Sequence, residues 1–241
     1  MTLRATTLLA ENTEPLLRGL VADLARVGID VEFDASLEPQ ERRAMVDEGG
    51  ADLVWACGLL TAELIAAGAE LTVVGAPIFP GEVEPIYRSV VISHPDRAYS
   101  GVATALSGRL AVNEYGSWSG WHGYRLFLSE RGLTVDDHPT HVLTGSHRNS
   151  TMAVLDGVAD VASIDSTLWT YLLEVSPELE SLDVIASTGD WPAPPLSVRD
   201  FDSALARAIR LVTTVQGADK DRYDFMRHAA KEPDASTGGD T

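Results

Sequence analysis

The sequence alternates short apolar strands with amphipathic helices, and two proline-rich breaks divide this alternation into three parts. The breaks are residues 76–81 and residues 191–195. Strand–helix alternation with short connections predicts parallel strands covered by helices on both faces. Between the breaks the pattern starts again and completes a second unit of the same kind. We therefore predict an α/β protein of two lobes, each a mixed, mostly parallel sheet flanked by helices, joined by a double hinge.

The two breaks also set the predicted domain boundaries. Lobe 1 comprises residues 1–85 and 189–230, and lobe 2 comprises residues 86–188. The polar residues 231–241 are predicted to form a disordered tail. After the second break, the apolar spacing predicts one amphipathic helix from Phe201 to about Gln216.

Charge and composition exclude several classes of partner. Asp and Glu outnumber Lys and Arg by 36 to 18, and a net charge of −18 repels nucleic acid and anionic membrane surfaces. Cys57 is the one cysteine, which excludes an internal disulfide and a cysteine-based zinc cluster. The histidines show no metal-ligand spacing, and no nucleotide-binding motif is present, so we predict neither a metal nor a cofactor.

The apolar segments of the sequence also predict where the protein is located. No stretch approaches the roughly 20 apolar residues of a membrane helix, so membrane insertion is not expected. The run Ala5 to Ala10 is too short for the core of a signal peptide. The expected location is cytoplasmic as the chain stands, and periplasmic or extracellular if an export signal has been removed.

Ligands in such sheets bind at the carboxyl ends of the strands, and the clearest candidate site lies there. It is the loop Asn113-Glu114-Tyr115-Gly116-Ser117-Trp118-Ser119-Gly120, between a predicted strand and a long helix. Backbone N–H groups at the helix start, flanked by the Ser117 and Ser119 hydroxyls and by glycines, can hold the oxygens of an anion. We expect these hydroxyls to face solvent when no ligand is bound. An ordinary serine cap is the alternative.

The next two strands end in loops with related chemistry. Ser146 and His147 lie between a strand and a helix, and His147 can donate to an oxyanion or act as a base, unless it is a plain surface residue. Asp165 can accept a hydrogen bond from a ligand amine or hydroxyl, with a helix N-cap as an equal alternative.

Two further candidates lie outside these loops. Cys57 precedes a helix in lobe 1, where a buried structural thiol is the alternative. Tyr87 lies at the first crossing between the lobes, where it either reaches a ligand or packs.

Six motifs in a fixed order resemble the phosphonate-binding family, the substrate-binding proteins of phosphate, phosphite and phosphonate ABC transporters. The resemblance covers about residues 50 to 196 and implies the type 2 periplasmic-binding fold. The motifs are Ala56-Cys57-Gly58, Tyr87-Arg88-Ser89-Val90, Leu110-Ala111-Val112-Asn113-Glu114, Ser117-Trp118-Ser119-Gly120, Thr144-Gly145-Ser146-His147-Arg148-Asn149-Ser150 and Gly157-Val158-Ala159-Asp160-Val161-Ala162-Ser163-Ile164-Asp165.

The resemblance implies roles for individual residues. Ser117, Ser119 and His147 would hold the phosphonate oxygens, while Tyr87 and Asp165 would contact the rest of the ligand. Trp118 stands where the family usually has Thr or Ser, so we expect it either to narrow the pocket or to offer an aromatic wall.

The leading hypothesis is a binding protein that closes its cleft over a small anion of the phosphonate, phosphate or carboxylate type. A transporter permease or another protein would be its partner. The alternative is a cytosolic enzyme on the same scaffold that acts on a carboxylate- or phosphate-bearing substrate, with His147, Asp165 and Cys57 supplying acid/base chemistry. A sensor that reports ligand occupancy to a partner is a third hypothesis.

Overall fold

A computed structural model of the chain describes residues 2–212, 214–218 and 220–231. The strands are β1 Leu3–Thr7, β2 Val31–Phe33, β3 Leu53–Trp55, β4 Thr72–Pro77, β5 Ile86–Tyr87, β6 Ser89–Ser93, β7 Leu110–Val112, β8 His141–Leu143, β9 Val161–Asp165, β10 Asp183–Ser187, β11 Trp191–Pro192, β12 Leu196–Val198 and β13 Val215–Gln216. The α-helices are α1 Glu14–Arg26, α2 Pro39–Asp47, α3 Gly58–Ala66, α4 Val102–Ala105, α5 Gly123–Ser129, α6 His147–Leu155, α7 Ser166–Val175, α8 Ala204–Ile209 and α9 Asp221–Ala229.

The chain divides into two compact units. Unit 1 contains the residues up to Ile86 together with Pro192–Arg227, and unit 2 contains Tyr87–Trp191 with the chain from His228. The chain crosses between the units close to the two proline-rich breaks. The predicted boundaries differ from these units at the end of the chain, where they assign residues up to 230 to lobe 1. Of the predicted tail, residues 232–241 lie outside the described residues.

Unit 1 is built on a mixed sheet with the strand order β13-β4-β12-β3-β1-β2. Strand β1 pairs in parallel with β2 and β3, while β12 runs antiparallel between β3 and β4. Helix α1 shows how the sequence forms this layer: Pro15 stands in its first turn, and Leu17, Leu20 and Leu24 bury one face. The α/β character and the mixed sheet confirm the predicted fold class.

The predicted helix from Phe201 to Gln216 is shorter than expected. Helix α8 ends at Ile209, and Val215–Gln216 pair antiparallel with β4. The residues Val212-Thr213-Thr214-Val215 are all β-branched, which disfavours helix because their χ1 angles are restricted there. Helix α9, which the sequence analysis does not anticipate, follows.

Unit 2 is built on a sheet with the order β10-β6-β9-β7-β8, and it carries most of the candidate residues. Strand β7 pairs in parallel with both β8 and β9, whereas β6 runs antiparallel to its two neighbours, β9 and β10. The loops that follow β7, β8 and β9 therefore leave the same edge of the sheet. Buried side chains from β7, β9 and α5, among them Val112, Val161 and Tyr124, form the core beneath this edge.

Candidate functional site

Ser117 caps the helix that follows β7. This helix runs without a break from Trp118 to Ser129, as a wide π-helical turn over Trp118–His122 followed by α5. The Ser117 hydroxyl oxygen accepts from the backbone N–H of Gly120 at 3.1 Å, and the residue is only 8% exposed. The expectation that this hydroxyl faces solvent is therefore wrong, because capping turns it back onto the helix start. Its O–H remains able to donate to a ligand oxygen, since the cap uses only a lone pair.

Ser119 and His147 join the loop after β7 to the loop after β8. The Ser119 hydroxyl oxygen lies 3.0 Å from Nε2 of His147, and the Ser119 carbonyl accepts from the Ser163 hydroxyl at 2.7 Å. The backbone N–H of Gly145 also donates to the Asn113 carbonyl at 2.9 Å. Ser119 is buried, so the expectation that its hydroxyl faces solvent is wrong too. The two helix starts that the sequence analysis singles out are thus held side by side; we call them together the cradle, residues 113–120 and 144–149.

The second helix start repeats the geometry of the first. The Ser146 hydroxyl accepts from the backbone N–H of Asn149 at 3.1 Å, which caps α6, and His147 is the first residue of this nine-residue helix. The Asn149 side chain closes the loop by donating to the Thr144 carbonyl at 2.9 Å. Two helix N-termini therefore lie next to each other, and each contributes backbone N–H groups and a partial positive charge.

Gly120 is required where the two loops meet. A Cβ atom at this position would lie 1.8 Å from Oδ1 of Asn113 and 3.0 Å from Cε1 of His147. Any side chain here would displace the Asn113 carboxamide. Asn113 belongs to the predicted loop but is not among the predicted ligand-binding residues, although a polar residue directly after the buried strand Leu110–Val112 is a usable signal.

The Trp118 ring lies in the core of unit 2. It is fully buried, packs edge-on against Trp191 with ring centroids 5.3 Å apart, and stacks on His122. Successive positions of a helix point in different directions, so burying Trp118 leaves its neighbours Ser117 and Ser119 at the loop. The proposed aromatic wall is not formed by this ring in the structure.

Asp165 is engaged at the start of α7. Its Oδ1 accepts from the backbone N–H groups of Thr167 and Leu168, at 2.8 and 3.2 Å, and from the Thr167 hydroxyl. Asp165 therefore acts as the N-cap that the sequence analysis gives as the alternative. It follows Ser163 by two residues on β9, so both side chains emerge on the same face of the strand.

The remaining candidates are not cradle residues. Tyr87 is almost completely buried in β5. Cys57 is half-buried before α3 and belongs to unit 1.

Two histidines of unit 2 have lowered pKa values. Burial lowers the pKa of His122 to about 4, aided by the charge of Arg125 and opposed by a hydrogen bond with the Tyr115 backbone. Burial also lowers the pKa of His138, whose Nδ1 donates to the Gly108 carbonyl at 2.8 Å. Nε2 of neutral His138 then accepts from the Tyr124 hydroxyl at 3.1 Å.

The described residues contain neither a metal-binding cluster nor a membrane-spanning helix. No three His, Cys, Asp or Glu side chains lie where they would jointly hold a metal ion. Nor does any helix in the described ranges have the length and apolar character to cross a bilayer.

Solved structures with the same fold come from several bacteria. A binding-protein component of an ABC phosphonate transporter from Pseudomonas aeruginosa matches with a TM-score of 0.73 and 17% identity, over 95% of this chain and 85% of that chain. PhnD1 from Prochlorococcus marinus, in complex with methylphosphonate, matches with a TM-score of 0.77 and 13% identity, over 95% and 97% of the two chains. A Xanthomonas citri protein bound to ATP matches with a TM-score of 0.68 and 16% identity, over 95% and 97%. At these identities the likeness establishes the type 2 periplasmic-binding fold.

Sequence comparison identifies the family directly. No curated protein matches the chain. The family model of the phosphonate ABC transporter periplasmic substrate-binding protein matches residues 6–226, which extends well beyond residues 50 to 196 in both directions. The chain therefore belongs to the family of periplasmic phosphonate substrate-binding proteins of ABC transporters.

Proposed function

We propose that this protein binds a small phosphonate, phosphite or phosphate anion in the cradle of unit 2. The observation that carries the proposal is the convergence of two helix N-termini, which the contact between Ser119 and His147 holds together. Helix N-termini favour anions because their first N–H groups lack intrahelical acceptors and the helix dipole is positive there.

The cradle hydroxyls suit a ligand rich in acceptor oxygens. Ser117 and Ser146 accept from backbone N–H groups, so each O–H is left to donate outward. When Nε2–H of His147 donates to Ser119, the Ser119 O–H is likewise directed to a ligand. A tetrahedral oxyanion offers lone pairs for all of these donors, and hydrogen bonds to a charged acceptor are about twice as strong as neutral ones.

We expect Asp165 to contact the organic part of the ligand and not its anionic group. Its Oδ1 is used by the α7 cap, so only the second carboxylate oxygen remains for a ligand group. An amine or hydroxyl on the organic part of a phosphonate would be the natural donor to that oxygen. Family membership supports a periplasmic location and a membrane permease as the partner, and both are part of the proposal.

Isothermal titration calorimetry tests the ligand class. The purified protein is titrated with methylphosphonate, 2-aminoethylphosphonate, phosphite and phosphate, with methylsulfonate and acetate as comparison anions. We expect at least one phosphorus oxyanion to bind with a Kd of about 1 μM or tighter, which corresponds to roughly −8 kcal/mol. Binding of an uncharged metabolite with no response to any of the four would overturn the proposal.

The contact between Ser119 and His147 also supports a second candidate, an enzyme on the same scaffold. A serine hydroxyl within hydrogen-bond reach of an imidazole is the arrangement of a nucleophile and its base. Asp165 caps α7 through Oδ1, and His147 is the acid/base candidate that lies beside Ser119. Product analysis after long incubation with phosphonate monoesters and carboxylate esters separates the two: turnover that His147→Ala abolishes would favour the enzyme.

A further inference from the structure

The Asn113 side chain is buried in the cradle without a protein hydrogen bond. Only 7% of the residue is exposed, and the enclosed Oδ1 accepts no hydrogen bond. Within residues 2–212, 214–218 and 220–231, its one hydrogen bond is made by the backbone, where its carbonyl accepts from Gly145.

A buried carboxamide without partners needs an explanation. Asparagine has two N–H donors and an acceptor oxygen, and native structures pair nearly all such buried groups. Leu or Val would continue the apolar strand β7 without this penalty. The side chain is therefore poorly suited to a purely structural role at the end of β7.

Its position indicates which atom of the carboxamide is available to a ligand. Asn113 Oδ1 lies against the backbone of Gly120. A Cβ atom on Gly120 would be only 1.8 Å from this oxygen and 3.0 Å from Cε1 of His147. The carboxamide thus lies between the two helix starts. With Oδ1 enclosed against Gly120, Nδ2 is the polar atom left to meet a ligand.

We propose that Asn113 is a ligand-binding residue of the cradle, whose Nδ2–H donates a hydrogen bond to an oxygen of the bound oxyanion. This inference rests on the proposed function. The donor is neutral, so it adds a hydrogen bond without adding charge, in keeping with the serine hydroxyls beside it. This role of Asn113 also explains why residue 120 is a glycine, since the absence of a side chain leaves room for the carboxamide.

The test compares two substitutions that turn an amide into a carboxylate, by calorimetry with the tightest-binding oxyanion of the wild-type protein. Asn113→Asp replaces the donor with a negative oxygen, and we expect affinity at pH 7 to fall by roughly 30-fold or more. Gln40→Glu is the matched control, because it makes the same amide-to-carboxylate change on an exposed side chain of α2 in unit 1, outside the cradle. We expect it to change affinity by less than about threefold.

Two further measurements keep the test decisive. Asn113→Ala removes the donor without adding charge and should weaken binding by about tenfold, with a native circular dichroism spectrum. The ratio of wild-type to Asn113→Asp affinity should shrink at pH 4, because protonation of the carboxyl removes the repulsion. A ratio that stays the same at pH 7 and pH 4 would assign the effect to altered structure and overturn the contact.

The outcomes also separate this inference from the proposed function. If the wild-type protein binds a phosphorus oxyanion and both Asn113 variants bind it equally well, the role of Asn113 is overturned and the proposed function stands. If the wild-type protein binds none of the oxyanions, the proposed function fails and this inference fails with it.

Discussion

The hydroxyl oxygen of Ser119 lies 3.0 Å from Nε2 of His147, across two loops that are 28 residues apart in sequence. The contact aligns the N-terminus of the helix at Trp118 with that of α6. Since either helix start alone would be an ordinary capped terminus, the pairing is what makes the place suitable for an oxyanion.

Replacing His147 should weaken binding without unfolding the protein. His147→Ala removes the imidazole that orients Ser119, and we expect a loss of about 1.5–3 kcal/mol in binding free energy, or roughly 10- to 150-fold in Kd. His141→Ala, at the start of β8 and hydrogen-bonded to the Val135 carbonyl, is the control and should bind normally. Calorimetry on both variants is the measurement, and equal affinities would contradict the role of His147.

Replacing Ser117 should reduce both stability and affinity. Ser117→Ala removes the cap on Gly120, which costs about 1 kcal/mol of unfolding free energy, and removes an O–H donor worth about 1–3 kcal/mol to an anionic ligand. Ser203→Ala removes an equivalent cap, on Ala206 in unit 1. The control should therefore lose stability in denaturant titrations and keep its affinity; a Ser117→Ala protein with unchanged stability would show that the cap is not formed.

Adding a methyl group at Gly120 should disturb the cradle through Asn113. Gly120→Ala places a Cβ 1.8 Å from Asn113 Oδ1, and displacing the carboxamide should cost about 1–3 kcal/mol of stability. Gly116→Ala is the control, because no atom lies within 4 Å of its Cβ position. In a double-mutant cycle, Asn113→Ala should recover part of the loss, and strict additivity of the two changes would rule out the contact.

His122 should make the stability of unit 2 depend on pH. Its folded pKa of about 4 lies below the ordinary value of 6.5, so the unfolded chain takes up a proton first as the pH falls. Stability present above pH 6.5 is then lost progressively toward pH 4, by up to about 3 kcal/mol. Urea unfolding at pH 7, 5.5 and 4 should show a smaller decline for His122→Gln than for the wild type, and parallel declines would contradict the assignment.

Asp160 should make the free energy of unfolding depend on pH in a lower range. It lies at the end of β7 and β9 that is opposite the cradle. Hydrogen bonds from Arg109 and the charge of Arg97 hold the pKa of Asp160 at about 2, below its ordinary 3.8. The stabilisation, about 2 kcal/mol, is present above pH 3.8 and is lost as the pH falls toward 2. Asp160→Asn should remove it in unfolding experiments at pH 5 and leave ligand affinity unchanged, so a variant as stable as the wild type would refute it.

Much of the fold and the position of the site follow from local sequence. Strand–helix alternation and the two proline-rich breaks predict a two-lobed α/β protein, and the loops before Trp118 and His147 are recognisable as helix starts. These features depend on backbone propensity and on residues within one turn of each other, so the sequence alone determines them.

Only the tertiary structure decides what each polar group in those loops bonds to. The sequence does not distinguish Asp165 as a cap from Asp165 as a free ligand group, and it does not place the Trp118 ring in the core. Likewise, Val215–Gln216 become a strand because β4 offers an edge, and Asn113 is enclosed because the turn at Gly120 folds back over it. Each outcome depends on a partner distant in sequence, so pairing across the sheet, and not local propensity, sets the chemistry of the site.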